Sequence, residues 1–276
     1  MAFIQMNLMS ESLMRTVNVN VILPADKLPL PGAPRKDARP YKTLYLLHGI
    51  LGSQIDWVSG TNIQRWAEEK DLAVVMPAGE NAFYLDREPA HALYGEFIGK
   101  ELVELTRAMF PLSRRREDTV LAGLSMGGYG ALRNGLKYHE NFGYIAGLSS
   151  ANIVEGIEDR TDDTQAFFAS RRFAESFLGD LSKVKNSDKD IKWLAEQLSA
   201  AGAERPKVYL ACGTQDDLLE YNRDFRDTLR GLGFNVTYQE APGGHDWDFW
   251  NSQIKQVLEW LPLSGDAGIS SGNIGA

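Results

Sequence analysis

The sequence of 276 residues predicts an α/β fold, in which a mostly parallel, twisted sheet carries helices on both faces. Three observations predict it. Strand-like and helix-like segments alternate from about residue 42 onward. Several strand candidates are continuous apolar runs, which are typical of parallel strands covered on both faces. The first two strand candidates instead have apolar residues at every second position, which predicts an antiparallel pair at the start.

The elements follow in a regular order. The opening pair is AFIQMNLMS and LMRTVNVNVILP, and the proline-rich stretch ADKLPLPGAPRKDARP after it predicts an exposed loop. The later strand candidates are KTLYLLHG, DLAVVMPAG, DTVLAG, GYIAGLSS, PKVYLACG and FNVTYQEA. The helix candidates are NIQRWAEEK, GEFIGKELVELTRAMFP, the segment from 126 to 138, YNRDFRDTLRGLG and DWDFWNSQIKQVLEWL. We expect a single domain over residues 1–262 and a flexible tail over 263–276, which is rich in glycine and serine.

Charge and composition narrow the class of function. The formal net charge of −8 provides no basic face for nucleic acid or an anionic membrane surface, so a small-molecule substrate fits better. A single cysteine, Cys212, excludes an intrachain disulfide. No apolar run approaches the ~18 residues needed to cross a bilayer. The N-terminal stretch does not have the pattern of a signal peptide, which predicts a cytoplasmic protein.

The stretch GLSMG, residues 123–127, matches the G-x-S-x-G nucleophile elbow and has the context that this motif requires. A buried strand precedes it and a helix follows it. The turn forces the serine into a strained backbone geometry, and side chains two positions away on either side would collide with neighbouring backbone. Ser125 is therefore the candidate nucleophile.

A serine nucleophile needs a histidine base, which in turn needs a carboxylate. His245 follows the last strand and two glycines, where a loop projects it toward the elbow, whereas His91 and His139 are interpreted as surface or structural residues. The loop after PKVYLACG offers Asp216 as the first choice of acid and Asp217 as the second, since one of the two could cap the next helix. The chain order of serine, aspartate and histidine is that of α/β-hydrolases.

The oxyanion of an acyl-transfer reaction needs two preorganised donors. One is expected to be the backbone N–H of Met126, directly after the nucleophile, and the other that of Ile50, in the loop after LYLLHG. His48 is interpreted as a residue that shapes this turn rather than as a second base. The histidine spacing gives no metal site and no phosphate-binding loop is present, so no cofactor and no metal are implied.

The stretches LYLLHGILGSQIDW, TNIQRWAEEKDLAVVMP, SRRREDTVLAGLSMGGYGALR, CGTQDDLLEYN and GGHDWDFWNSQI together resemble the esterase D family of α/β-hydrolases, and within it most closely the bacterial tributyrin esterases. The resemblance covers about residues 10–262. It implies a serine carboxylesterase for short acyl esters, with Ser125, Asp216 and His245 as the triad and the amides of Ile50 and Met126 as the oxyanion hole. It also implies a homo-oligomer.

The same family includes S-formylglutathione hydrolases, feruloyl and acetyl xylan esterases, and acyltransferases, so the substrate stays open. S-formylglutathione hydrolases carry a cysteine in the turn where this chain has HGILG, which argues against that substrate. Xylan-type activity would require imported oligosaccharides, and a hydrolase-like scaffold used only for binding is a further alternative.

The substrate pocket is predicted from the same resemblance. Hydrolases of this fold often insert a cap where this chain has residues 151–205, so a cap-like insertion is expected there. Its aromatic residues could line an acyl pocket, although aromatic residues at near-helical spacing more often belong to the core. They are Phe167, Phe168, Phe173 and Phe177. Trp57 and Trp247, next to the predicted active-site loops, are the better candidates for substrate walls.

Overall fold

The computed structural model describes residues 1–28 and 40–265. The loop predicted over 25–40 and the tail predicted over 263–276 fall largely outside these residues. Within them, the strands are β1 (Ala2–Ser10), β2 (Arg15–Leu23), β3 (Lys42–Leu47), β4 (Leu72–Pro77), β5 (Asp86–Arg87), β6 (Ala92–Leu93), β7 (Thr119–Leu124), β8 (Tyr144–Leu148), β9 (Lys207–Gly213) and β10 (Val236–Ala241). Eight of these strands form one sheet in the order β1-β2-β4-β3-β7-β8-β9-β10.

In this sheet only β2 runs opposite to the other strands. β1 pairs with β2 and β2 with β4 in antiparallel register, whereas every pair from β4 through β3 to β10 is parallel. This arrangement confirms the α/β fold and the antiparallel opening pair that the apolar patterns predict. A two-stranded hairpin of β5 and β6 was not predicted, because its strands are too short to show a period.

The helices lie between the strands. They are α1 (Asp56–Gly60), α2 (Ile63–Glu69), α3 (Tyr94–Glu96), α4 (Leu102–Met109), α5 (Met126–Lys137), α6 (Arg171–Leu178), α7 (Ile191–Ala200), α8 (Leu219–Gly231) and α9 (Trp247–Trp260). A π-helical turn, Phe97–Glu101, joins α3 to α4, so the helix predicted over GEFIGKELVELTRAMFP is continuous but irregular. None of the helices in the described residues combines the length and the apolar character needed to cross a bilayer.

The core occupies both faces of the sheet. Along β3, Leu44 and Leu46 pack into the apolar cluster that includes α2 and α9, whereas Tyr45 and Leu47 pack into the cluster on the opposite face. All six residues of β7 are buried. Fully burying one such aliphatic side chain stabilises the fold by about 1.5–3 kcal/mol, so the continuous apolar runs of the sequence follow from double-sided burial.

The segment between β8 and β9 lies against α5. The Tyr129 hydroxyl of α5 donates to the Lys189 carbonyl (2.6 Å), and the buried Arg133 donates through Nε to the Asp188 carbonyl (2.9 Å). The Arg133 guanidinium also pairs with the Asp188 carboxylate. The segment predicted as a cap-like insertion is thus tied to the helix that follows the elbow, and its role as a cap stays a prediction.

Candidate active site

The loops that follow β7, β9 and β10 meet at one edge of the sheet. These strands are parallel, with β8 between β7 and β9, so their carboxyl ends point the same way. The three loops carry Ser125, Asp216 and His245 respectively. A crevice at the carboxyl ends of parallel strands is the usual place for a ligand in such sheets.

Ser125 occupies a sharp turn between β7 and α5. Its backbone has φ 51° and ψ −116°, a combination that residues with a Cβ rarely adopt. Its N–H donates to the Leu148 carbonyl (2.8 Å) and its carbonyl accepts from Ala151 (3.1 Å), so β8 and the following loop hold the turn from both ends. The side chain is 8% exposed and opens into a cleft.

Two glycines make this turn possible. A Cβ at Gly123 would lie 2.3 Å from the Gly127 carbonyl oxygen, and one at Gly127 would lie 2.4 Å from the Leu47 carbonyl oxygen. Both contacts are with backbone, which cannot rotate away. Only glycine therefore fits at these two positions beside Ser125, because neighbouring backbone approaches too closely for a side chain, as the sequence predicts.

His245 lies between the serine and an aspartate. Its Nε2 is 2.9 Å from Ser125 Oγ and its Nδ1 is 2.9 Å from Asp216 Oδ2. Asp216 is almost completely buried, with 1% of its side chain exposed, whereas the imidazole is 39% exposed and can reach a bound molecule. A relay of this geometry can take the proton from the serine hydroxyl and stabilise the resulting imidazolium.

The loops that carry Asp216 and His245 are bonded to each other. The Gln215 N–H donates to the Gly243 carbonyl (3.0 Å), and the Gly243 N–H donates back to Gln215 Oε1 (2.6 Å). A Cβ at Gly213 would lie 2.2 Å from the Gly243 carbonyl oxygen. The separation of the acid and the base is therefore set by a backbone hydrogen bond and a close backbone approach, to which the Gln215 side chain adds a second hydrogen bond.

Several hydrogen bonds keep Asp216 ionised. Burial alone would raise its pKa, but hydrogen bonds from His245, the Leu218 N–H and the Ser149 hydroxyl outweigh burial and hold the pKa of Asp216 below its usual range. Asp217, the second candidate from the sequence, is exposed and has no hydrogen bond or ion pair to His245 among the described residues. The structure thus places Asp216, not Asp217, beside the base.

His48 holds the loop after β3 in shape. The Gly79 N–H donates to His48 Nε2 (2.8 Å), so the ring proton is on Nδ1, which donates to the Gly49 carbonyl (2.7 Å). The Tyr84 hydroxyl also donates to the His48 carbonyl (3.0 Å). Both ring nitrogens are occupied, so His48 serves the turn and not a proton transfer.

The fixed Gly49 carbonyl determines where the next N–H points. In a trans peptide the C=O and N–H point in opposite directions, and the described residues contain no cis peptide. Because the Gly49 carbonyl is held by His48, the Ile50 N–H of the same peptide points away from His48. Ile50 lines the cleft on that side. The N–H of Met126, the first residue of α5, lies next to Ser125 at the positive end of that helix. Neither N–H has a hydrogen-bond acceptor among the described residues.

A pH effect on stability follows from the buried His48. Burial lowers its pKa below the ordinary 6.5, so between its folded-state pKa and about 6.5 the unfolded chain binds a proton that the folded chain does not. We expect the free energy of unfolding to decrease as the pH falls through this window. The decrease in melting temperature between about pH 7.5 and about pH 5.5 should be smaller in His48→Gln than in the wild type. The exposed His91 provides the control: His91→Gln should keep the wild-type decrease, and an equal decrease in all three proteins would contradict the assignment.

The cleft in front of Ser125 is small and has an aromatic wall. Its volume is about 290 Å³, and its lining consists of Gly49, Ile50, Leu51, Gly52, Asp56, Leu124, Ser125, His245, Trp247 and Trp250. Trp247 therefore lies where the sequence predicts a wall. Trp57 does not line the cleft, because it is buried behind Trp247, edge to face at 5.6 Å, and donates from Nε1 to the Leu47 carbonyl (2.9 Å).

The aromatic residues of the segment between β8 and β9 are not part of this cleft. Phe173 and Phe177 are buried in the core, where Phe177 stacks on Phe83 at 4.0 Å, and Phe167 and Phe168 are exposed. The structure therefore supports the interpretation of Phe173 and Phe177 as ordinary core residues. In the part of the chain that the structure describes, no three His, Cys, Asp or Glu side chains are grouped so that they could hold a metal ion.

Trp250 and Ser149, which support the acid and the base, were not predicted. Trp250 packs edge to face on the His245 ring at 4.9 Å, and its Nε1 donates to Ser149 Oγ (3.3 Å). Ser149 also hydrogen-bonds to Asp216, so these two residues support the acid and the base from behind. In the sequence Trp250 is part of an ordinary amphipathic pattern and Ser149 simply follows a strand, so neither gives a signal of its own.

The chain is similar to known esterases and serine hydrolases. Residues 10–261 match the family model described as "Putative esterase". The acetyl esterase of Caldicellulosiruptor saccharolyticus is 44% identical over 266 residues, which cover 96% of this chain and 100% of that enzyme. Among solved structures, the S-formylglutathione hydrolase of Staphylococcus aureus is similar with a TM-score of 0.80 and 31% identity, over 94% of this chain and 98% of that one. The fluorophosphonate-binding serine hydrolase F of the same species, with substrate bound, has a TM-score of 0.81 and 32% identity over the same shares.

Proposed function

This chain belongs to the esterase family and is a carboxylic ester hydrolase, and from that premise we propose that it hydrolyses short-chain acyl esters, acetyl to butyryl, through a triad of Ser125, His245 and Asp216. One observation carries the proposal. His245 lies 2.9 Å from both Ser125 Oγ and Asp216 Oδ2, and it does so in a cleft open to a ligand.

The proposed reaction has two halves. Ser125 Oγ attacks the ester carbonyl carbon while His245 Nε2 takes the hydroxyl proton, and the oxyanion is held by the N–H groups of Ile50 and Met126. The intermediate collapses, the C–O bond to the alcohol breaks, and His245 gives its proton to the leaving alcohol. A water then attacks the acyl-enzyme in the same way, which releases the acid and restores Ser125. Asp216 keeps the proton of the neutral imidazole on Nδ1 and stabilises the imidazolium.

The short acyl chain is inferred from the size of the cleft. A volume of about 290 Å³ is just below the ~300–1,000 Å³ found for pockets of drug-sized ligands, and Trp247 and Trp250 bound it with rigid rings. A Cβ at Gly60 would lie 2.6 Å from the Trp247 ring, so that ring is packed closely from behind. The name of the acetyl esterase relative points to the same class of acyl group.

S-formylglutathione hydrolysis is the second candidate. The structural similarity to the S-formylglutathione hydrolase of Staphylococcus aureus favours it, whereas the missing cysteine in HGILG does not. Feruloyl or acetyl xylan esterase activity and acyl transfer remain alternatives within the family. The single domain with its cap-like insertion, the bacterial tributyrin esterase subgroup, the homo-oligomer and the cytoplasmic location are predictions from the sequence.

A substrate panel tests the proposal. With acetyl, butyryl, octanoyl and feruloyl esters of one common phenol, and S-formylglutathione besides, we expect kcat/KM for acetyl or butyryl to exceed that for octanoyl and feruloyl by at least about tenfold, because the longer groups do not fit the cleft. Product analysis with and without an added alcohol separates hydrolysis from acyl transfer. A preference for octanoyl, feruloyl or S-formylglutathione would contradict the proposal.

A further inference from the structure

Among its described residues, the cleft that holds Ser125 has an acidic side chain and no permanently cationic one opposite it. Of the ten described residues that line the cleft, Asp56 and His245 have titratable side chains, and none is a lysine or an arginine. The chain as a whole has a formal net charge of −8. A bound carboxylate would therefore find no cation in the cleft and would face the carboxylate of Asp56.

Asp56 is the first residue of α1 and lies half-buried in the wall of the cleft that also contains Ile50. Its Oδ1 accepts from the Ser53 hydroxyl (3.2 Å). A Cβ at Gly52 would lie 2.2 Å from Asp56 Oδ2 and 3.0 Å from His48 Nδ1, so the carboxylate occupies space that only a glycine leaves free. Among the described residues, no lysine or arginine forms an ion pair with Asp56, and its charge is not neutralised there.

We infer that Asp56 is a specificity-determining residue, which makes the enzyme select uncharged short-chain esters and reject esters that carry a carboxylate. The inference deepens the proposed function and rests on it. It adds the charge of the substrate to its size as a property that the cleft selects. Because glutathione carries two carboxylates and one ammonium group, its thioesters fall into the disfavoured class.

The range of the electrostatic interaction is sufficient for this role. The Debye length is about 10 Å at 0.1 M salt, and a cleft of about 290 Å³ is narrower than that. A carboxylate anywhere inside it is therefore repelled by Asp56 without much screening. Like charges a few ångströms apart near a protein surface repel strongly enough to change a binding constant by about tenfold or more.

Two acetyl esters of the same shape test the inference. 4-Acetoxybenzamide is uncharged and 4-acetoxybenzoate is anionic, and both release a phenol that is followed by its absorbance. For the wild type we expect kcat/KM for the amide to exceed that for the benzoate by at least about tenfold. In Asp56→Asn this ratio should fall by about tenfold, and in Asp56→Glu, which keeps the charge, it should stay high. Asp163→Asn removes an exposed carboxylate on the segment between β8 and β9 and should leave the ratio unchanged.

Salt provides a second measurement that needs no variant. Raising the ionic strength from about 0.02 M to about 0.5 M should lower the wild-type ratio, because screening weakens the repulsion. A wild-type ratio near one, or the same ratio in Asp56→Asn as in the wild type, would overturn the inference while the esterase function stands. If the wild type hydrolysed neither ester, the proposed function and this inference would fall together.

Discussion

Ser125→Ala is expected to lower kcat for acetyl and butyryl esters by roughly 10⁴- to 10⁶-fold. The variant has no nucleophile, and a water in its place would have to be positioned by His245 alone. The oxyanion donors and the cleft are retained, so a small residual activity and a nearly unchanged KM are expected. Steady-state kinetics on p-nitrophenyl butyrate measure the loss, and a fluorophosphonate probe, which reacts with activated serines, should no longer label the protein.

The neighbouring Ser150 provides a matched control. It is also buried, its hydroxyl has no hydrogen-bond partner in the described residues, and it lies close to Gly128 at the same turn. Ser150→Ala should keep activity within a few-fold of the wild type. Circular dichroism and thermal unfolding should show both variants folded. Probe labelling or undiminished turnover in Ser125→Ala would rule out Ser125 as the nucleophile.

The elbow could be predicted from the sequence because its glycines and the two elements beside it form a pattern within one short stretch. Gly123 and Gly127 are needed where a Cβ would meet backbone, and the strand before and the helix after show clear apolar periods. The same reasoning places Asp216 and His245, since each follows a buried parallel strand and the ends of such strands share one edge. The class of chemistry is thus contained in three short stretches.

The walls of the cleft could not be predicted in this way. Trp57 and Trp247 both lie near predicted active-site loops in the sequence, yet packing buries Trp57 behind Trp247. Trp250 forms a wall although its spacing in α9 is that of a core residue, and Asp56 begins a helix too short to show a period. Which of several similar side chains faces a cleft depends on contacts between distant segments, and a sequence pattern contains no information on them.

The choice between Asp216 and Asp217 shows where local reasoning ends. Both follow the same strand and either could cap α8, so the sequence alone does not exclude Asp217. Asp216 Oδ1 accepts from the Leu218 N–H (2.9 Å), so its carboxylate both fixes the turn and faces His245. The cross-link between Gln215 and Gly243 holds the loop of Asp216 against the loop of His245. That cross-link joins loops that are distant in the sequence.

Asp216→Asn is expected to lower kcat by about 10⁴-fold with little change in KM. An asparagine amide can donate to His245 Nδ1, which would place the ring proton on Nε2, and that nitrogen could then no longer accept the proton of Ser125. The carboxylate that stabilises the imidazolium is lost as well.

Asp217→Asn is the matched control, because it removes the adjacent, exposed carboxylate and should retain activity within about twofold of the wild type. Kinetics of the two variants on p-nitrophenyl acetate decide the assignment. A large loss in Asp217→Asn with near-normal turnover in Asp216→Asn would reverse it, because the exposed Asp217 would then be the carboxylate that orients His245.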